Sequence, residues 1–154
     1  MLGGLVRTGF RVNRFNADIA RQWARRGPAA ILDQLRANAA DNAQPIGMPL
    51  IAGLADAVVH GLDIRRPLGR TGPISPEVFG LVADAALAMR WPVTTSIGGS
   101  PRARVAEVRL VNDETGWSRG AGPEARAGSE AILLLLHGRA VTAGELTGPG
   151  AERV

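Results

Sequence analysis

The residues with the greatest capacity for chemistry are Asp56, His60 and Asp63, in the stretch ADAVVHGLDIRRPLG from Ala55 to Gly69. At about 3.6 residues per turn, positions four and seven beyond Asp56 return to nearly its azimuth, so on a helix the three polar groups share one stripe. A carboxylate and an imidazole at that spacing can both reach one cation, as helical ligand pairs do in zinc sites and in the metal centres of bundles. Asp63 is then spaced to accept from the other ring nitrogen and orient it. The same spacing serves a second reading, in which Asp56 and Asp63 hydrogen-bond His60 or nearby Arg side chains in a polar network without metal. The flanking Leu54, Val58, Val59, Leu62 and Ile64 place part of the helix in the interior, where unpaired charge is costly. Arg65, Arg66 and Arg70 follow; a guanidinium there can hold a substrate carboxylate or stand as a surface charge.

Other chemistries have little support. The chain has no Cys, which excludes disulfides, thiolate-ligated zinc, iron–sulfur clusters and a thiol nucleophile of its own. His137 falls at the end of an apolar run, where a cation favours the helix dipole and no carboxylate is spaced to share a metal with it. The glycines of IGGSP, Ile97 to Pro101, lack the Lys and the following helix of a phosphate-binding loop. No serine stands in a nucleophile-elbow context.

The elements that must position these residues are legible in outline. From Leu5 to Arg25 apolar residues at Leu5, Val12, Phe15, Ile19 and Trp23 oppose an Arg-rich face, the pattern of an amphipathic helix. Gly27 and Pro28 break it and open a short second helix carrying Ile31, Leu32, Leu35 and Ala39, before a turn-rich stretch from Asp41 to Pro49. The third helix runs from Leu50 to Arg65 and ends at Pro67 and Gly69. Ser75, Pro76 and Glu77 form a cap, a first-turn proline and a first-turn acid for a fourth helix, which stops before Pro92. Residues 92–103, rich in Thr, Ser, Gly and Pro, show no periodicity and are expected to be a linker. Beyond it, Val105 to Val111 alternates as a strand with one face covered, and a turn spans Asn112 to Gly116. Trp117 with Ser118 and Pro123 to Ala127 supply further strands, and Ser129 caps a helix closed by Gly138. The expected organisation is α+β: a helical bundle over 1–91, the linker, and a small α/β domain over 104–154.

The composition narrows the class of protein. With 154 residues, 45% of them apolar and 21% charged, the chain is long enough for one ordinary core or two small ones. All eighteen basic residues are Arg and fourteen carboxylates are interspersed among them, so the net charge of +4 does not by itself name a partner. An Arg stripe with Arg7, Arg11 and Arg14 would grip phosphates, but a solvated helix face explains it more simply, which ranks nucleic acid last among the partners. No apolar run is long enough to span a bilayer and no secretory h-region opens the chain, so the expected compartment is the cytoplasm and no membrane partner is expected.

Taken together, ADAVVHGLDIRRPLG, the later WSRGAGPEARAGSEAILLLLHGR and the closing ELTGPG resemble the mycothiol-dependent maleylpyruvate isomerase family, which belongs to the DinB-like metal-binding helical bundles. The resemblance covers most of the chain. It implies a divalent metal, zinc first among the candidates, with Asp56 and His60 as two ligands and Asp63 in support. It also implies a sterol-carrier-like C-terminal domain. The chemistry implied is that the metal stabilises the thiolate of mycothiol, the low-molecular-weight thiol of actinobacteria. The thiolate adds to a small electrophilic substrate, and the outcome is isomerisation if the thiol leaves or S-transfer if it stays. Arg65, Arg66 or Arg70 would hold a substrate carboxylate. The family's third ligand is usually a His on an upstream helix, whereas this chain opens with LGGLVRTGF, similar to the segment after that helix, and no His precedes His60. The expectation is therefore either a start that lies further upstream than Met1, or a short form with a partial bundle and a two-ligand, weakened or empty site; loss of a bundle helix would expose an apolar stripe with Phe15, Ile19 and Trp23 that favours self-association. The alternative function is a non-catalytic small-molecule-binding or interaction module.

Overall fold

The computed structural model describes residues 12–41 and 49–154, with side chains from residue 14 onward. The expected helical turns from Leu5 to Arg11, with Arg7 and Arg11, and most of the turn-rich stretch before Pro49 lie outside the described residues. The chain separates into two compact units, Met1–Pro45 and Ile46–Val154. Among the described residues there are six α-helices and one three-stranded sheet, an α+β composition.

The first unit holds α1 (Val12–Ala24) and α2 (Pro28–Ala40). Gly27, at φ +80°, turns the chain between them in a conformation that glycine adopts without Cβ strain, and Pro28 starts α2 where a missing N–H is harmless. Surface pairs at i, i+3 brace both helices, Asp18 with Arg21 and Asp33 with Arg36. Arg26 lies over the Trp23 ring at 4.5 Å. Phe15 and Ile19 are half-buried, Trp23 is exposed, and no described side chain of this unit is fully buried.

The second unit contains α3 (Leu50–Arg65), α4 (Pro76–Ala88), the four-residue α5 (Pro101–Arg104), β1 (Arg109–Asn112), β2 (Ser118–Gly120), β3 (Glu124–Ala127) and α6 (Ser129–Leu136). The Ser75 hydroxyl accepts from the Val78 amide at 3.2 Å, so α4 is capped as the sequence indicates. The sheet order is β2-β1-β3, with β1 antiparallel to β2 and parallel to β3. To reach the far side of β1, the β2–β3 link passes beneath the start of β1. Gly122 sits there at φ +119°, where a Cβ would stand 2.6 Å from the Glu107 carbonyl oxygen, so only glycine fits.

One core serves the whole unit. Leu62 of α3, Phe79, Val82 and Ala86 of α4, Val108 and Leu110 of the sheet layer, and Ile132, Leu133 and Leu136 of α6 are buried in a single cluster. Phe79 meets Trp117 edge to face with centroids 5.4 Å apart.

Several expectations from the sequence are corrected. Residues 92–103 are not a linker and mark no boundary between the units: they form a 3-10 helix at Val93–Ile97 and the helical turn α5, with Thr94 and Pro101 buried. Arg104 ties the stretch to α6, donating to the carbonyls of Leu136 at 3.0 Å and Ile97 at 2.5 Å. β1 begins only at Arg109, and Leu110, Val111 and Asn112 are buried in succession rather than alternately, because β1 is the central strand and is covered on both faces. Ser129 is the first residue of α6 rather than its cap. Its hydroxyl donates to Glu114 at 2.6 Å and accepts from the Asn112 amide at 3.1 Å, and the cap position belongs to Gly128.

Candidate functional site

Helix α3 spans Leu50–Arg65 and turns Ala55, Val59 and Leu62 into the core. Asp56, His60 and Asp63 lie together on another stripe, as the spacing requires. The stripe runs from solvent toward the interior: the Asp56 and His60 side chains are 69% and 59% exposed, and Asp63 falls to 32%. The first two therefore suffer little desolvation, and the part of the helix expected in the interior is the face of Ala55, Val59 and Leu62. Those flanks divide, with Val59 and Leu62 buried and Ile64 exposed.

His60 is bracketed by both carboxylates. Nδ1 stands 3.0 Å from Asp63 Oδ2 and Nε2 stands 3.4 Å from Asp56 Oδ1. The Nδ1 contact has hydrogen-bond length, so the ring proton belongs on Nδ1 and is donated to Asp63. In the neutral ring Nε2 then presents its lone pair to the Asp56 carboxylate. Two acceptors face one another, and either a second proton or a metal ion satisfies the pair.

Asp63 is held by a residue that sequence reasoning did not single out. Arg139 donates to Asp63 from Nη2 at 2.7 Å and from Nε at 3.1 Å, a two-point grip across 76 residues of chain. Arg139 is placed by the end of α6, where Gly138 at φ +77° closes the helix and the Arg139 amide bonds back to the Leu134 carbonyl at 2.9 Å. The grip of Arg139, and to a smaller degree the bond from His60, hold the Asp63 carboxyl below its ordinary value against the opposing effect of burial. The only sequence signal for Arg139 was its place just after the helix-closing glycine, and nothing local pairs it with Asp63.

The three arginines after α3 part company. Arg66 pairs with Glu145, and its Nη1 is buried without a hydrogen-bond partner among the described residues. Burial acts to raise the Glu145 carboxyl, but hydrogen bonds from Thr142 and Arg66 outweigh it and the net shift is downward. Arg65 donates from Nε to the Gly61 carbonyl at 3.3 Å, and Arg70 lies exposed in the loop beyond. Arg66, Asp63 and Arg139 line a cavity of about 390 Å³ with Leu62, Pro67 and Leu134, so of the three arginines Arg66 is the one beside the Asp63 end of the stripe.

His137 has a role other than the cation expected at a helix end. Its Nδ1 lies 2.8 Å from the Leu133 carbonyl, the ring is buried, and Nε2 finds no partner among the described residues. Burial, with Arg139 and Arg104 nearby, pushes its pKa down, so the ring is neutral and structural.

The donor set bears on a metal directly. Two ligand atoms each about 2.0–2.1 Å from a tetrahedral zinc lie roughly 3.4 Å apart, the observed separation of His60 Nε2 and Asp56 Oδ1. Asp63 on Nδ1 is the outer partner that metal-bound imidazoles usually have. Asp56 and His60 thus fit two ligand positions. Among the described residues no group of three or more His, Asp or Glu is arranged to hold a metal ion, so any further ligand would come from outside that set. No helix among the described residues is long and apolar enough to cross a membrane. No family model, curated protein or solved structure matches the chain.

Proposed function

We propose that Asp56 and His60 are protein ligands of a divalent metal, zinc first among the candidates, in a mycothiol-dependent isomerase or S-transferase of the maleylpyruvate isomerase type, built on a DinB-like helical scaffold. The supporting observation is the acceptor pair at His60 Nε2 and Asp56 Oδ1, 3.4 Å apart with the ring proton drawn to Asp63. Asp63 orients the imidazole, and Arg139 holds Asp63 in place. A divalent ion there would supply the Lewis acidity that keeps a thiol deprotonated near neutral pH. With no Cys in the chain, the thiol belongs to a cosubstrate. Arg66, beside the cavity at the Asp63 end, is the residue proposed to hold a substrate carboxylate.

Isothermal titration of zinc into the metal-free chain tests the reading. The expected result is one equivalent of binding, lost in His60→Ala and weakened about 10–100-fold in Asp63→Asn, the range for removing an outer partner of a metal-bound imidazole. Absence of saturable binding, or equal binding by His60→Ala, refutes it.

A further inference from the structure

We propose that the groove between α4, the residues after α5 and the edge strand β2 binds a small amphipathic carboxylate, an apolar chain ending in a single acid group. The groove encloses about 380 Å³ and shares no residue with the Asp56–His60 stripe. That volume falls within the roughly 300–1,000 Å³ of small-molecule sites. Leu87 and Ala88 from the end of α4 and Val105 and Ala106 beyond α5 give it an apolar lining.

The rim supplies the charge. Arg102 Nε donates to the Leu87 carbonyl at 2.7 Å, satisfying one of the carbonyls that α4 leaves open at its C-terminus. This bond fixes the guanidinium at the rim, and its two terminal amino groups bond nothing among the described residues. No carboxylate lies within ion-pair distance of Arg102 there. The acid of the groove, Asp84, is already committed: its carboxylate accepts from Arg119 Nη2 at 2.8 Å and from Trp117 Nε1 at 3.2 Å. Arg119 in turn lies over the Trp117 ring at 5.1 Å. An uncommitted planar cation therefore borders an apolar trough whose only carboxylate is occupied. A carboxylate accepts two parallel N–H bonds from such a fork, and an attached apolar chain covers the trough. A cationic amphiphile of the same length would meet Arg102 with like charge.

The test is calorimetric titration of the whole chain with octanoate and, separately, with octylammonium, neither of which requires the metal site. Octanoate is expected to bind at one site and at least about tenfold more tightly than octylammonium, and Arg102→Met to weaken octanoate by about tenfold, the scale of losing a charge-assisted hydrogen bond. Ala106→Phe, which fills the trough from an exposed position, is expected to abolish binding while thermal melting remains cooperative. No saturable octanoate binding, equal affinity for the two probes, or an unchanged affinity in Arg102→Met overturns the proposal. Because His60→Ala is expected to bind octanoate normally, loss of the metal reading leaves this one standing, and the converse holds.

Discussion

The grip of Arg139 on Asp63 can be measured by a double-mutant cycle of Asp63→Asn and Arg139→Gln. Two hydrogen bonds of 2.7 and 3.1 Å join the groups, and the side chains are 29% and 32% exposed. A hydrogen bond to a charged group contributes about 1.5–3 kcal/mol when shielded, and an exposed ion pair about 0.2–1 kcal/mol. Exposure near one third, with the attendant screening, sets the expected coupling at about 1 kcal/mol. For a unit of roughly a hundred residues that is about 4 °C in melting temperature. The coupling must also depend on pH with a definite sign. The Asp63 carboxyl is held low chiefly by Arg139, so its folded pKa lies below the unfolded value of about 3.9. Its contribution is full above that unfolded value and is lost as pH falls through the folded one. Thermal or urea unfolding followed by circular dichroism, at pH 7 and in steps below about 3.9, gives both quantities. A coupling under about 0.3 kcal/mol at pH 7, or one that persists unchanged into strong acid, refutes the assignment of Arg139 as the residue that holds Asp63.

Other perturbations follow from the same structure. His137, depressed chiefly by burial, stabilises the fold in its neutral form above about pH 6.5 and loses that contribution as pH falls toward its folded value. Urea midpoints at pH 5 and 7.5 are expected to converge in His137→Leu relative to the unmodified chain, and an unchanged difference rejects the account. Phe79 is completely buried against Trp117 and the α6 side chains, so Phe79→Ala is expected to destabilise by about 3–5 kcal/mol in equilibrium unfolding. Gly122→Ala places a Cβ 2.6 Å from the Glu107 carbonyl at positive φ and is expected to cost more than about 2 kcal/mol in the same measurement. By contrast Gly116→Ala, with open space around its Cβ, carries only the strain of positive φ and is expected to cost less.

What the sequence revealed and what it hid divide along physical lines. The bounds of α2, α3 and the start of α4 were legible because Gly27, Pro28, Pro67, Ser75 and Pro76 act through their own backbone chemistry within a turn of where they sit. So were the azimuths of Asp56, His60 and Asp63, which follow from helical geometry alone. Residues 92–103 misled because a lack of periodicity was read as a lack of packing. Two short helical pieces bury single residues, Thr94 and Pro101, too sparsely to leave a period. Ser129 misled for a similar reason: a serine ahead of an apolar run is a local signal, but its hydroxyl is claimed by Glu114 and Asn112 from an earlier turn. The Arg139 contact and the pairing of Arg66 with Glu145 were illegible, since each joins residues more than seventy positions apart and depends on the packed fold.

The order in which the polar groups of α3 are held decides what the stripe can do. Asp63, deepest of the three, is immobilised by a guanidinium anchored to the closing turn of α6, and it is thereby a fixed acceptor. A fixed acceptor on Nδ1 sets the ring orientation of His60 and turns Nε2 outward. Asp56, one turn earlier and mostly in water, is the group that Nε2 meets. Were all three residues equally exposed, the histidine could rotate to give its proton to either carboxylate, and the stripe would be an ordinary surface network. Because the core holds one end rigid, the stripe has a preferred direction, from the half-buried Asp63 to the exposed Asp56. The same fixing of one end is why a change at Arg139, which touches neither Asp56 nor His60, is expected to loosen the orientation of the His60 ring.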